Sequence, residues 1–168
     1  MQRLELVHDW LARQFPGQPL SVAPASADAS FRRYFRITFD DGQTRIVMDA
    51  PPEHEDCLPF VRVAGLLHQA GVHAPEILAQ DLERGLLLLT DLGSTTYLDA
   101  LDASNADVLF RDALDALVKW QLASRPDALP PYDEVLLRRE LALFPDWYVA
   151  RHLGRSLTTA QRQTLDDM

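Results

Sequence analysis

A chain of 168 residues, 47% of them hydrophobic, is long enough for one good core or two small lobes and lies well outside the range of disordered sequences. Its formal net charge of -9 argues against a duplex nucleic-acid partner, whose footprint would be basic over a whole face, but leaves room for a nucleotide, which needs only local positive charge. The single cysteine, Cys57, can form no internal disulfide, the N-terminus has no apolar signal core, and the longest aliphatic run (86–89) cannot span a bilayer, so a soluble cytoplasmic protein is expected.

Leu4, Val7, Trp10, Leu11 and Phe15 recur at helical spacing and predict an amphipathic helix over 3–15, stopped by Pro16-Gly17. The period then changes. Residues 20–24, 33–39 and 44–49 read as three strands, the last two joined at Asp40-Asp41-Gly42, and Pro51-Pro52 ends the meander. A helix over 57–70 follows, with Asp56 as its cap, Pro59 tolerated in its first turn and Phe60, Val63, Ala64 and Leu67 as its buried stripe. Residues 77–80 and 86–90 complete a mostly antiparallel five-stranded sheet with that one helix inserted after its third strand. Beyond Gly93 the chain reads as helical: a short helix over 97–101, and a long one over 106–122 with Val108, Leu109, Ala113, Leu117 and Trp120 on its apolar side. A third spans 133–143 and is broken by Pro145, and a last helix is capped by Thr158 or Thr159.

Two segments invite chemistry. Ala25-Ser26-Ala27-Asp28-Ala29-Ser30-Phe31 is a run of small and polar residues opening into Arg32-Arg33-Tyr34-Phe35-Arg36. Small side chains let backbone N–H groups turn inward on an anion, so the run reads either as a phosphate cradle or as a hairpin turn beside a solvated strand. Residues 87–93 read as a buried aliphatic strand entering a glycine-ended connector, either a hinge whose main chain reads a planar ligand or a strand ending in a turn. Elsewhere, Glu53, Glu55 and Asp56 suit a solvated helix start, and His54 with Cys57 falls two ligands short of a zinc site.

Residues 26–36, Val47-Met48-Asp49-Ala50-Pro51-Pro52-Glu53, residues 55–60 and Leu87-Leu88-Leu89-Thr90-Asp91-Leu92-Gly93 together resemble the aminoglycoside-phosphotransferase-like family. Within it they are most similar to the bacterial anomeric kinases of N-acetylmuramate and N-acetylglucosamine, and the similarity runs from about Leu4 to the end of the chain. The resemblance implies an α+β, protein-kinase-like fold: a nucleotide-binding N-lobe and hinge over 1–93, then part of a helical C-lobe over 94–168. It implies ATP and Mg²⁺ as cofactors, a small sugar as substrate, and nucleotide contacts from Ser26, Asp28, Ser30, Arg32 and Arg33. Tyr34 would cover the adenine and Leu89 would gate the pocket. The Thr90 carbonyl would accept from the adenine amine and the Leu92 N–H would donate to the ring. Strand alternation puts Arg32, Tyr34 and Arg36 on one face and Arg33, Phe35, Ile37 and Phe39 on the other. Arg36 and Arg45 read as solvated. Trp147 and Tyr148 would stack on the sugar or fill the core.

The sequence departs from the family pattern in two ways. Met48 stands where relatives carry a phosphate-binding Lys or Arg, and Phe60 where its carboxylate partner would be, which places the phosphate role on Arg32 or Arg33. Neither a His-x-Asp-x-x-x-x-Asn loop nor a later metal-binding aspartate occurs, since His8, His68, His73 and His152 all lack its partners. The resemblance puts that loop and the Mg²⁺ ligands beyond Met168, so the chain alone is expected to be inactive. A kinase for another hydroxyl compound, such as an aminoglycoside, and a catalytically silent nucleotide-sensing or partner-binding module remain the alternatives.

Overall fold

The computed structural model describes residues 3–27 and 30–167, with residues 26 and 27 described by their backbone. Two compact units emerge, Met1–Ser124 and Arg125–Met168. In the first, helix α1 (Arg3–Gln14) precedes strands β1 (Leu20–Ala27), β2 (Arg33–Phe39) and β3 (Thr44–Asp49); α2 (Leu58–Gln69) then leads to β4 (Ile77–Asp81) and β5 (Leu86–Thr90). All pairings are antiparallel, in the order β1-β2-β3-β5-β4, as the element order predicts.

Alternation along the central strands divides the core between the two faces of the sheet. Val7, Trp10 and Leu11 of α1 pack on Phe35, Ile37, Val47, Leu86 and Leu88. On the other face Met48, Ala50, Leu87 and Leu89 form a second cluster with Cys57, and Phe60 and Val61 of α2 pack against it. Each large side chain buried in this way contributes about 1.5–3 kcal/mol. Helix α2 begins at Leu58 with Pro59 in its first turn, where the N–H that proline lacks would be orphaned anyway; its N-cap is Cys57 rather than the expected Asp56, whose carboxylate accepts from the Leu58 N–H at 2.9 Å.

Turn chemistry fixes the strand ends. Gly42 takes φ 82°, and its N–H reaches the Phe39 carbonyl at 2.9 Å. Gly85 is constrained more tightly: at φ 68° a Cβ there would sit 1.8 Å from the Ala50 oxygen, while the Ala50 N–H donates to the Gly85 carbonyl at 2.8 Å. No other residue fits without moving the chain where β3 leaves the sheet.

Two expectations are corrected and a third is extended. Strand β1 continues three residues past 24 through a bulge, pairing Ser26 with Tyr34 and Ala27 with Arg33, so the first three residues of the expected loop are strand. The long helix α4 (Ala106–Ala123), which follows the short α3 (Tyr97–Ala100), forms where expected, and its apolar side, including Val108, Leu117 and Trp120, is exposed. In the second unit, α5 (Glu134–Leu143) does not break at Pro145 but continues as a π-helix over Phe144–His152. Proline removes one donor from the ladder, and the wider helix absorbs that loss by resuming in i→i−5 register, as in the 3.0 Å bond from the Leu153 N–H to the Tyr148 carbonyl. Helix α6 (Thr159–Asp166) starts on Thr158, in a capping box with Gln161.

Candidate functional site

The α2-side face of the sheet collects Arg32, Tyr34, Met48 and Leu89. Register sets Tyr34 opposite Met48 and Met48 opposite Leu87 in one row, and Arg36, Ile46 and Leu89 in the next. Met48 is fully buried in the cluster that Tyr34 and Phe60 flank, so the place of the expected cation is apolar and closed. A buried carboxylate at Phe60 would have had no partner there.

Positive charge returns at the start of β2. The Arg32 Nε donates to Glu55 Oε2 at 3.2 Å, and the Phe31 N–H donates to the other oxygen of the same carboxylate at 3.2 Å. Partial burial works against the charge of Arg32, but hydrogen bonding to Tyr34 and Glu55 outweighs it and holds the guanidinium pKa above its ordinary value. Glu55 is therefore an orienting group rather than a solvated helix start, its side chain only 14% exposed. His54 stacks on Phe31 with ring centroids 4.5 Å apart, closing the same corner. Opposite charges 23 residues apart gave no sequence signal for this pairing.

Arg33 points to the other face. Its Nε and Nη2 grip one oxygen of Asp49, while Nε and Nη2 of Arg3 grip the other. Asp49 is wholly buried, so two guanidiniums share one carboxylate and staple α1 to β3. Arg33 is thus committed on the side away from Tyr34, and Arg32 alone of the pair shares the Tyr34 face.

At the end of β5 the chain leaves a fully buried strand, Leu86 to Leu89, and is held by Glu76: the Thr90 N–H donates to the Glu76 carbonyl at 3.0 Å and the Thr90 hydroxyl accepts from the Glu76 N–H at 2.9 Å. Leu92 is 52% exposed. Arg36 is not solvated as expected but is bound to Asp91 and Gly93 of this connector. Arg45 is held locally, by the Thr44 carbonyl and the Gln43 side chain.

The remaining expected residues fall elsewhere. Asp28 lies outside the described residues, and Ser26 is described by its backbone alone. The Ser30 hydroxyl accepts from the Arg32 N–H at 3.1 Å, forming a tight turn before the strand. Trp147 and Tyr148 are in the second unit and exposed rather than core, at 55% and 50%. Tyr148 is stacked on both Phe144 and His152 along the π-helix, and Arg151 lies 3.9 Å over the Trp147 ring, which leaves the opposite Trp147 face uncovered by that cation. Among the described residues no group of three His, Cys, Asp or Glu side chains is arranged to hold a metal ion, and no helix is long and apolar enough to cross a membrane. Cys57 is buried, and burial pushes its thiol up.

The sequence that builds this arrangement is similar to those of known proteins. The chain is 63% identical over 139 residues to a protein of Pseudomonas aeruginosa, which covers 83% of this chain and 41% of that relative. It is 57% identical over 144 residues to one of Pseudomonas putida (86% and 42%) and 41% identical over 167 residues to one of Neisseria meningitidis (97% and 49%). All three relatives carry the name N-acetylmuramate/N-acetylglucosamine kinase, and the chain spans less than half the length of each. Residues 21–167, from the second residue of β1 to the residue after α6, match the phosphotransferase enzyme family, and the chain belongs to that family.

Proposed function

We propose that this chain is the nucleotide-binding front part of a longer cytoplasmic kinase that moves the γ-phosphate of ATP to the anomeric hydroxyl of N-acetylmuramate and N-acetylglucosamine, as in cell-wall recycling. The observation that carries this reading is the 63% identity to a kinase of that name. The α2-side face supports its nucleotide half. Met48 and Leu89 are closed within the core of that face, and the half-buried side chains beside them, Tyr34 and Ile46, offer an apolar surface for a planar base between the connector and the one oriented guanidinium, Arg32, at the start of β2. Arg32 and Arg36 are four residues apart, about 13 Å along an extended strand, which suits a nucleoside with its phosphates beyond it.

In this reading residues 1–93 form the nucleotide lobe and hinge, and residues 94–168 begin a helical lobe. The Thr90 carbonyl and Leu92 N–H read the adenine edge, Leu89 and Tyr34 border its plane, and Ser26, Asp28 and Ser30 contact the phosphates. Arg32 supplies the phosphate charge that Met48 cannot, and Glu55 aims it. Arg33, the second arginine of the motif, supports β2 from behind through Asp49. Trp147, with Tyr148 stacked alongside in the π-helix, offers an aromatic platform to the sugar. Mg²⁺, when bound, shields the phosphate charge and positions it for in-line attack. Its ligands and the base would belong to the part of the relatives' length that this chain does not span. The test is sugar-dependent ADP formation by the full-length protein with a panel of amino sugars, followed by acid treatment of the product. An acid-labile phosphate supports a glycosyl phosphate. A stable 6-phosphate would assign another hydroxyl, and nucleotide binding without sugar-dependent turnover would make the protein a sensor.

A further inference from the structure

Arg36 lies in the middle of β2 and Asp91 one residue beyond β5, with β3 between the two strands. Its side chain crosses that strand. The Arg36 Nε donates to Asp91 Oδ2 at 2.5 Å and Nη2 to Oδ1 at 3.0 Å, and the same Nη2 donates to the Gly93 carbonyl at 2.9 Å. Asp91 Oδ1 also accepts from the Gly93 N–H at 2.8 Å. The Asp91 side chain is 6% exposed and that of Arg36 27%, so the pair is sheltered from solvent screening. The Arg36 hydrogen bond outweighs desolvation and holds the Asp91 carboxyl at about 2, so the clamp stays charged throughout the neutral range.

The consequence falls on the residue in between. Asp91 and Gly93 are fixed on either side of Leu92, and a bidentate guanidinium fixes direction as well as distance. The Leu92 N–H itself has no partner among the described residues, and its side chain is half exposed. A free donor held between two anchored residues is preorganised for a ligand acceptor.

We propose that the Arg36–Asp91 clamp is a positioning device that orients the Leu92 N–H toward the edge of the bound purine, and so sets the preference for adenine. This rests on the nucleotide reading above. Arg36 acts through the connector and touches no ligand. Lysine at position 36 keeps the charge but loses the fork, and asparagine at 91 keeps the shape but loses the charge.

The experiment compares wild type, Arg36→Lys and Asp91→Asn in the full-length protein by calorimetric binding of adenosine and inosine, by competition with tripolyphosphate, and by hydrogen exchange at the Leu92 amide. Inosine presents a donor where adenine presents its N1 acceptor, so it reports alignment of that N–H. Both variants should bind adenosine about tenfold more weakly, prefer it less over inosine, exchange faster at Leu92 and hold tripolyphosphate as wild type does. Unchanged adenosine affinity and preference in both variants overturns the proposal, as does an equal loss for adenosine and tripolyphosphate, which marks general unfolding. Failure of wild type to bind adenosine overturns the nucleotide reading itself.

Discussion

Arg32 and Arg33 are neighbours in sequence with opposite commitments, and replacing each by alanine should separate stability from nucleotide binding. Arg33→Ala removes two charge-assisted hydrogen bonds from a carboxylate that is 0% exposed. Such bonds are worth about 1.5–3 kcal/mol, but Arg3 remains on the other oxygen and the Arg33 side chain is 47% exposed, so water recovers part of the loss. A net cost of about 1–2 kcal/mol follows, or a fall in Tm of roughly 1–3 °C in a full-length protein more than twice this chain's length. Adenosine and ATP affinity should hold. Arg32→Ala leaves the core untouched and should shift Tm by no more than about 1 °C, while ATP affinity drops tenfold to a hundredfold, by about 1.5–3 kcal/mol, and adenosine affinity stays. Thermal unfolding and calorimetric titration of both variants in the full-length protein decide the matter. Weaker ATP binding in Arg33→Ala at unchanged Tm, or full ATP affinity in Arg32→Ala, would refute the division of the sheet into a structural and a ligand face.

Other consequences can be measured separately. Gly85→Ala forces a Cβ into the Ala50 carbonyl at a positive φ and should cost at least about 2 kcal/mol in urea unfolding, and a neutral result would mean that the β3 exit is free to move. Asp91 falls from its ordinary 3.8 to about 2 in the folded protein, so its contribution is complete above about pH 4 and is lost as pH drops from 4 toward 2, some 2 kcal/mol in all. Between pH 6 and pH 3 wild type should lose about 1 kcal/mol more stability than Asp91→Asn, and equal losses would place the Arg36 bond in solvent. The 168-residue chain should form no ADP above a sugar-free blank, because positioning and charge stabilisation by a base and metal set supply nearly all of the acceleration; sugar-dependent turnover would put that set within these residues.

What the sequence disclosed was local. Strands β2 and β3 and the Asp40-Asp41-Gly42 turn were legible to the residue, because alternation and a glycine turn act over a few positions. The extension of β1 was not: Ala25, Ser26 and Ala27 carry no strand preference, and it is pairing with Arg33 and Tyr34 that makes them strand. Pro145 correctly announced a disturbed helix, but α5 accommodates it by widening rather than ending. Most hidden were the ion pairs. Arg36 finds Asp91 55 residues away and Arg3 finds Asp49 46 residues away, and no periodicity in one sequence links such positions. Strand alternation had already placed Arg36 beside Tyr34, yet assigning it to solvent required knowing that no carboxylate lay within its reach.

The central claim is that ATP lies on the α2-side face, between the connector after β5 and the start of β2. Photolysis of the full-length protein with an azido-adenine analogue of ATP, followed by peptide mapping, tests it directly. Adducts should concentrate in peptides containing Tyr34 and residues 89–92 and disappear with excess ATP, whereas ATP-protected labelling confined to other segments would contradict the account.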